Sequence, residues 1–490
     1  MASSVFRVLP LWLAVGAAAV IGPLMSLSFT LTGSSYHDDQ RALELLCLLV
    51  GTAGAVFCLV QGKLMRARFS QLALGLLCLF FTLGLLSSVQ AYSARHALYE
   101  WSSFCLLLLL AWRIADEVAQ RPDDALDGIL LLCGLGCVLY VFKAQLTYVW
   151  ILQEGVQPNP AEFITGFNNY RFFNHAQTIS LPLLGLLVLR SGQKEAASVR
   201  QTMGWWVLLA FWWMLLFVSV GRGTFMGVLA GIAMVLFWRG QQALPWCRVM
   251  LWSALAGLAA YAVLYVAVPL LMGLQPFGFL GGVVERSLAN PTSSRWDLWR
   301  RAGEMVMAHP WLGAGPLHFA HDGRSVGNGA HPHNWVMQIA SEWGVPALLC
   351  ISAVILMGFR RLLIAGRTIA SDDQKNQAAL TVWLATGIAI LVDGLISGLL
   401  VMPSSQLWLV LYIGCAWGWV GAFSNAGQTA HFRCTKATGI GLSLVLLGML
   451  FFLGQGLGPE MFDLADYDLQ QHERYPGIPL GPRIWGAGYF

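Results

Sequence analysis

The run His331-Pro332-His333-Asn334 stands where a long polar segment meets the apolar stretch Trp335-Val336-Met337-Gln338-Ile339-Ala340. Ionisable groups at the edge of a membrane segment are costly to keep without a use. A titratable imidazole there can take up or release a proton near neutral pH. Arg222 is a second signal, alone between two apolar stretches in Ser219-Val220-Gly221-Arg222-Gly223-Thr224. Its planar guanidinium fork matches a phosphate or pyrophosphate, against the alternative of an arginine snorkelling from a helix end. Arg295 falls in the first turn of a helix expected to start at Ser294, with Asp297 three residues after that cap. A cation there opposes the helix dipole, which favours a ligand role. Arg171 lies in Asn168-Asn169-Tyr170-Arg171-Phe172-Phe173-Asn174-His175, whose composition suits sugar or phosphate contact, although an aromatic interface belt accounts for the rings equally well.

Other polar residues carry two readings each. A helix starting near His333-Asn334 would offer its N-terminal N–H groups to a phosphate. Asn334, Gln338, Ser341 and Glu342 then form a polar stripe that faces a cavity or bonds to neighbouring helices, the latter favoured for Gln338 and Glu342. Asp393, inside an apolar run, either pairs with an arginine near the site or holds helices together. Arg300 and Arg301 read as a solvated interface face. His318, His321, His331 and His333 form only loose HxxH and HxH patterns, with Asp322 as the one carboxylate among them, so no metal is expected. Neither a P-loop nor a dinucleotide fingerprint is present.

These residues need a scaffold, and composition names it. The chain has 490 residues, of which 57% are hydrophobic and 11% charged. A soluble domain carries roughly 25% charged residues, so this is an all-α polytopic integral membrane protein. Apolar stretches long enough to span lie near 9–30, 42–61, 69–88, 97–114, 125–147, 176–190, 203–220, 223–238, 249–273, 335–358, 377–401, 405–423 and 437–457. The expected count is about 12–13 transmembrane helices, twelve if 203–238 is one bent unit. The first stretch lacks a convincing cleavage site and reads as a retained span.

Lys63, Arg66, Arg68, Arg113, Arg121, Arg190, Lys194, Arg200, Arg239, Arg248, Arg360, Arg361, Arg367, Lys375, Arg433 and Lys436 all follow even-numbered spans, and Arg7 precedes the first. The positive-inside rule makes that face cytoplasmic and puts Arg171, Arg222, Arg295 and His333 on the outer one. The net charge of +4 is mostly this topological signal and gives no ground for a nucleic-acid partner. Four regions result: helices one to nine in 1–273, a large structured outer loop with an amphipathic helix in 274–334, helices ten to thirteen in 335–457, and a C-terminal tail in 458–490. No cysteine lies in an outer loop, so no structural disulfide is expected. No internal repeat is apparent, which weakens a transporter reading.

The chain resembles the bacterial O-antigen ligase and polymerase superfamily of membrane glycosyltransferases. Gly221-Arg222-Gly223 after an apolar run carries the resemblance, as does Ser294-Arg295-Trp296…Trp299 leading to His309-Pro310-Trp311-Leu312-Gly313-Ala314-Gly315. So do His333-Asn334 followed by nine residues and Gly344, and the large outer loop between two late spans. The ligase motif ends in Gly, Thr or Tyr three residues after its glycine; here Ala347 stands in that place. The resemblance implies a GT-C-like ligase in the inner membrane with a periplasmic site and no cofactor, nucleotide or metal. It would move a glycan from undecaprenyl diphosphate in the surrounding membrane lipids to a sugar hydroxyl of lipid A-core. His333 would be the general base, and Arg222, Arg295 and Arg171 would bind the diphosphate, with His331, Asn334 and Asp393 in support. Two relatives using the same donor stay open, a protein O-oligosaccharyltransferase and an O-antigen polymerase. A polysaccharide or lipid transporter or flippase is the reading from another class.

Overall fold

The structure, a computed structural model, describes residues 10–24, 32, 35–61, 69–193, 199–278, 295–326, 329–424, 435–477 and 481–490. Arg7, Lys63, Arg66, Arg68, Lys194, Arg433 and the expected cap Ser294 lie outside the described residues.

The regular structure of the described residues is helical throughout. This is how a chain satisfies its own backbone in a bilayer. In order come α1 (Leu11–Leu24), α2 (Tyr36–Val60), α3 (Gln71–Gln90), α4 (Ala94–Gln120), α5 (Pro122–Gln153), α6 (Phe173–Gln193), α7 (Val199–Ser219), α8 (Arg222–Arg239) and α9 (Leu244–Tyr261). A π-helical turn continues α9 toward Leu271. There follow α10 (Arg295–Ala308), α11 (Trp335–Trp343), α12 (Val345–Thr368), α13 (Gln374–Gly394), α14 (Pro403–Ser424), α15 (Lys436–Met461) and α16 (Leu464–Arg474). Side chains of Ser35, Ser70, Asp373 and Thr435 cap the starts of α2, α3, α13 and α15.

Eleven helices among the described residues are long and apolar enough to cross a membrane. The other two expected stretches also form helices, α1 with 14 residues and the more polar α4 with 27. The stretch 203–238 is two helices, α7 and α8, turned at Val220-Gly221. One expected boundary is wrong. The tenth stretch does not begin at Trp335, because Gly344 (φ 90°, ψ 161°) separates the short α11 from the membrane-length α12. A Cβ at Gly344 would stand 2.3 Å from the Trp311 carbonyl oxygen, so the outer loop packs directly into this joint.

Close helix contacts aim the site. Gly227 and Gly231 of α8 lie against Ala389 and Ala385 of α13, where a Cβ on either glycine would meet a carbonyl oxygen at 2.6 Å. Small residues four apart let two membrane helices approach this closely. They bring the head of α8, with Arg222, to the end of α13, with Asp393. At the opposite end of α13 Lys375 pairs with Asp123 of α5 at 2.8 Å, and Arg190 at the end of α6 pairs with Asp127 of α5 at 3.1 Å. Arg190 and Lys375, two of the cations assigned to one face, thus lie at the far end from Arg222.

In the outer loop, α10 buries Leu298, Ala302 and Met305 against Phe319. Trp296 of the same helix is 65% exposed. The register of the buried stripe is set by the loop residues folded over it, which no local periodicity reveals. The tail returns to the same end of the bundle as His331 and His333, with Arg483, Trp485 and Tyr489 buried.

Candidate active site

Three arginines reach one cavity from three helix starts. Arg222 is the first residue of α8, Arg295 the first of α10, and Arg171 sits in the 3-10 turn Tyr170–Phe172 that leads into α6. The turn before Arg222 is strained: Val220 has φ 55°, a region that costs a β-branched residue roughly 1–3 kcal/mol. Arg222 N–H donates to the Val220 carbonyl at 2.9 Å, and Phe225 N–H to that of Gly221 at 3.0 Å. Asn169 fixes the third turn by accepting from Arg171 N–H at 3.0 Å. Cations at helix N-termini oppose the dipole, whereas an anion placed there is favoured by dipole and guanidinium together.

The cavity has a volume of about 470 Å³, and Arg171, Arg222, Arg295, His175, His333 and Asp393 line it. Burial holds the Arg295 guanidinium below its usual range, and the neighbouring charges of Arg222 and then Arg171 push the same way, opposed by Asp393. Asp393 is buried at the α8 head and accepts from the Thr178 hydroxyl at 2.5 Å. Thr178 in turn meets the Thr224 hydroxyl at 2.7 Å. Asp393 therefore ties α6, α8 and α13 together and lines the same cavity as the arginines.

His333 is the strained residue of the second element, with φ 53°. Its backbone is held on both sides. The Trp299 indole N–H donates to the Pro332 carbonyl at 3.0 Å, and His333 N–H donates to His331 Nδ1 at 3.2 Å. That bond leaves the proton of neutral His331 on Nε2. The two rings lie 4.0 Å apart between centroids. Burial pushes the His333 imidazole down to about 3, helped by Arg295 and His175, so the ring is neutral at pH 7 and able to accept a proton. His331 is also pushed well below its usual range, first by burial and then by His333 and Arg483.

Asn334 caps the helix that follows His333. Its Oδ1 accepts from Val336 N–H at 3.0 Å and Met337 N–H at 3.1 Å, so it caps α11 and occupies N–H groups that the sequence had offered to a phosphate. His175 was overlooked as a site residue. It is buried in the cavity wall four residues after Arg171, and that spacing from an outer-face arginine was its only sequence signal.

A second, larger cavity of about 1150 Å³ adjoins the first, with Arg171 and His333 in both walls. Its remaining lining includes Asn169, His331, Asp468 and His472. His318 and His321 make packing and backbone contacts within the loop region. His318 accepts from Ser93 N–H through Nε2 at 2.9 Å, and its Nδ1 lies 2.9 Å from the Pro316 carbonyl, while His321 packs on Tyr92. Glu342 of the polar stripe, expected to bond to a neighbouring helix, is instead buried against Arg483 of the C-terminal tail.

Residues 206–352 match the family described as O-antigen ligase. The matched stretch runs from α7 into α12 and contains Arg222, Arg295 and His333. No curated protein matches the chain. Across residues 206–352, a stretch that includes the arginine at the head of α8 and the strained histidine before α11, the chain is similar to the O-antigen ligase family.

Proposed function

We propose that the protein is an O-antigen ligase of the bacterial inner membrane, moving a glycan from undecaprenyl diphosphate to a sugar hydroxyl of lipid A-core on the periplasmic face. The observation that supports this best is the pair of adjoining cavities with His333 in the wall of both. The arginine-lined cavity takes the donor diphosphate. The larger one admits the acceptor sugar from the other side of the imidazole.

In the transfer, the acceptor oxygen attacks the anomeric carbon while the bond from that carbon to the diphosphate oxygen breaks. The acceptor proton goes to the neutral ring of His333, and the bonding electrons leave with undecaprenyl diphosphate. Arg222, Arg295 and Arg171 stabilise the charge that grows on the leaving group, in a site that holds them in place beforehand. Donor binding also prepares the base. Arg295 is one of the groups that depress His333, and a bound diphosphate compensates its charge, so His333 becomes more basic once the donor is present. His331 and Asp393 support the site through the His333 backbone and the α8 head.

The test is an acceptor panel with purified protein in liposomes containing undecaprenyl-diphosphate glycan, without nucleotide. Transfer to lipid A-core supports the ligase reading. Transfer only to a protein, or only to a second lipid-linked glycan, replaces the acceptor and refutes this reading.

A further inference from the structure

The C-terminal tail reaches the segment that carries His333. Arg483 lies buried at the centre of four elements. Its Nη2 donates to both Glu342 oxygens, at 3.0 and 2.9 Å, and to Glu100 Oε1 at 3.0 Å. Its Nη1 donates to the Ala330 carbonyl at 3.2 Å, three residues before His333. One guanidinium thus ties α4, α11 and the 329–333 backbone together.

A second tail contact acts on the same segment. The Tyr489 hydroxyl accepts from Gly329 N–H at 3.2 Å. The tail is itself anchored to α2: Arg41 donates to the carbonyls of Arg483 at 2.9 Å and Ile484 at 3.2 Å, and Gly486 N–H donates to Asp38 at 2.8 Å.

A non-glycine residue in the left-handed region persists only when its surroundings over-determine it. For His333 those surroundings are Trp299 on Pro332 and His331 on its own N–H, with the tail holding Gly329 and Ala330 just before them. We infer that Arg483 is a positioning residue for His333, and that the C-terminal tail is a strap which, with Tyr489, holds the imidazole between the two cavities.

The inference rests on the base role proposed for His333, and its test separates the two. Arginine satisfies two carboxylates and a carbonyl at once, which the single ammonium of lysine does not reproduce. Arg483→Lys keeps the charge that Glu342 and Glu100 need. Tyr489→Phe removes one acceptor and no charge, and decides the matter alone where Arg483→Lys does not fold. For each variant in liposomes, the bound fraction of undecaprenyl diphosphate counts the folded sites, and transfer is expressed per occupied site.

The expected result is full donor binding with turnover per site reduced about 10- to 100-fold for Arg483→Lys and less for Tyr489→Phe. Neither change lowers the residual rate of His333→Ala further, because both act through that side chain. Unchanged turnover per occupied site overturns the inference, as does a further loss of the same size in the His333→Ala background. A fully active His333→Ala protein instead removes the base role itself.

Discussion

Gly223 and Asp393 are in such close contact that a Cβ on the glycine would stand 2.1 Å from the Asp393 carboxylate. The relationship explains why a glycine follows Arg222. The head of α8 must lie directly on the end of α13 for the guanidinium and the carboxylate to share one cavity wall. Gly223→Ala forces one of them to move. The expected outcome is a loss of transfer of about 10-fold or more in otherwise folded protein, since overpacking of this kind shifts backbone at a cost of roughly 1–3 kcal/mol. Normal transfer by Gly223→Ala would show that the Asp393 position is unimportant to the reaction.

Arg222→Ala and Arg295→Ala each remove one cation from the wall facing the leaving group. Each is expected to lower transfer by about 10²- to 10³-fold, the range for loss of one preorganised donor. Lysine in either place restores charge without the fork and recovers only part of the rate. Rates with the glycan donor, alongside equilibrium binding of undecaprenyl diphosphate, measure both effects. An alanine variant that binds and transfers normally would take that arginine out of the diphosphate site.

The pH profile follows from the charges around His333. The imidazole accepts a proton only when neutral, and in the unliganded protein it is pushed down to about 3. The acid limb of kcat/KM, which reports the free protein, therefore lies well below pH 5. Arg295→Gln removes a charge that depresses the ring, so the His333 value rises toward its ordinary one and the acid limb moves up with it. An acid limb that stays in place, or moves down, contradicts the proposed coupling between Arg295 and His333.

Gly344 carries a prediction about stability rather than rate. Its φ of 90° and the nearby Trp311 carbonyl leave no room for a side chain. Gly344→Ala is expected to lower the thermal unfolding midpoint, with a cost of roughly 1–3 kcal/mol from the backbone strain alone. An unchanged midpoint would mean that the joint between α11 and α12 relaxes freely.

Much of the site was legible in the sequence because charge is conspicuous in so apolar a chain. Arg171, Arg222 and Arg295 stood out as cations on the face that should carry few, and all three line one cavity with His333. What escaped depended on geometry between distant segments. Arg483 lies 150 residues after His333 in a tail with no motif, and only the folded chain brings it to Ala330 and Glu342. The break at Gly344 was hidden because apolar residues continue across it, so composition reads one long span where the backbone makes two helices. The N–H groups at the start of α11 read as open to a phosphate because a capping asparagine and a phosphate use the same groups.

The central claim is that His333 takes the acceptor proton. A single-turnover experiment tests it most directly, with the undecaprenyl-diphosphate glycan bound in advance to liposome-reconstituted protein and lipid A-core added last. Wild type is compared with His333→Ala at equal donor occupancy. Equal donor binding is expected, with a transfer step slower by about 10²- to 10⁴-fold in the variant, the range for loss of a general base. Transfer by His333→Ala at the wild-type rate would contradict it.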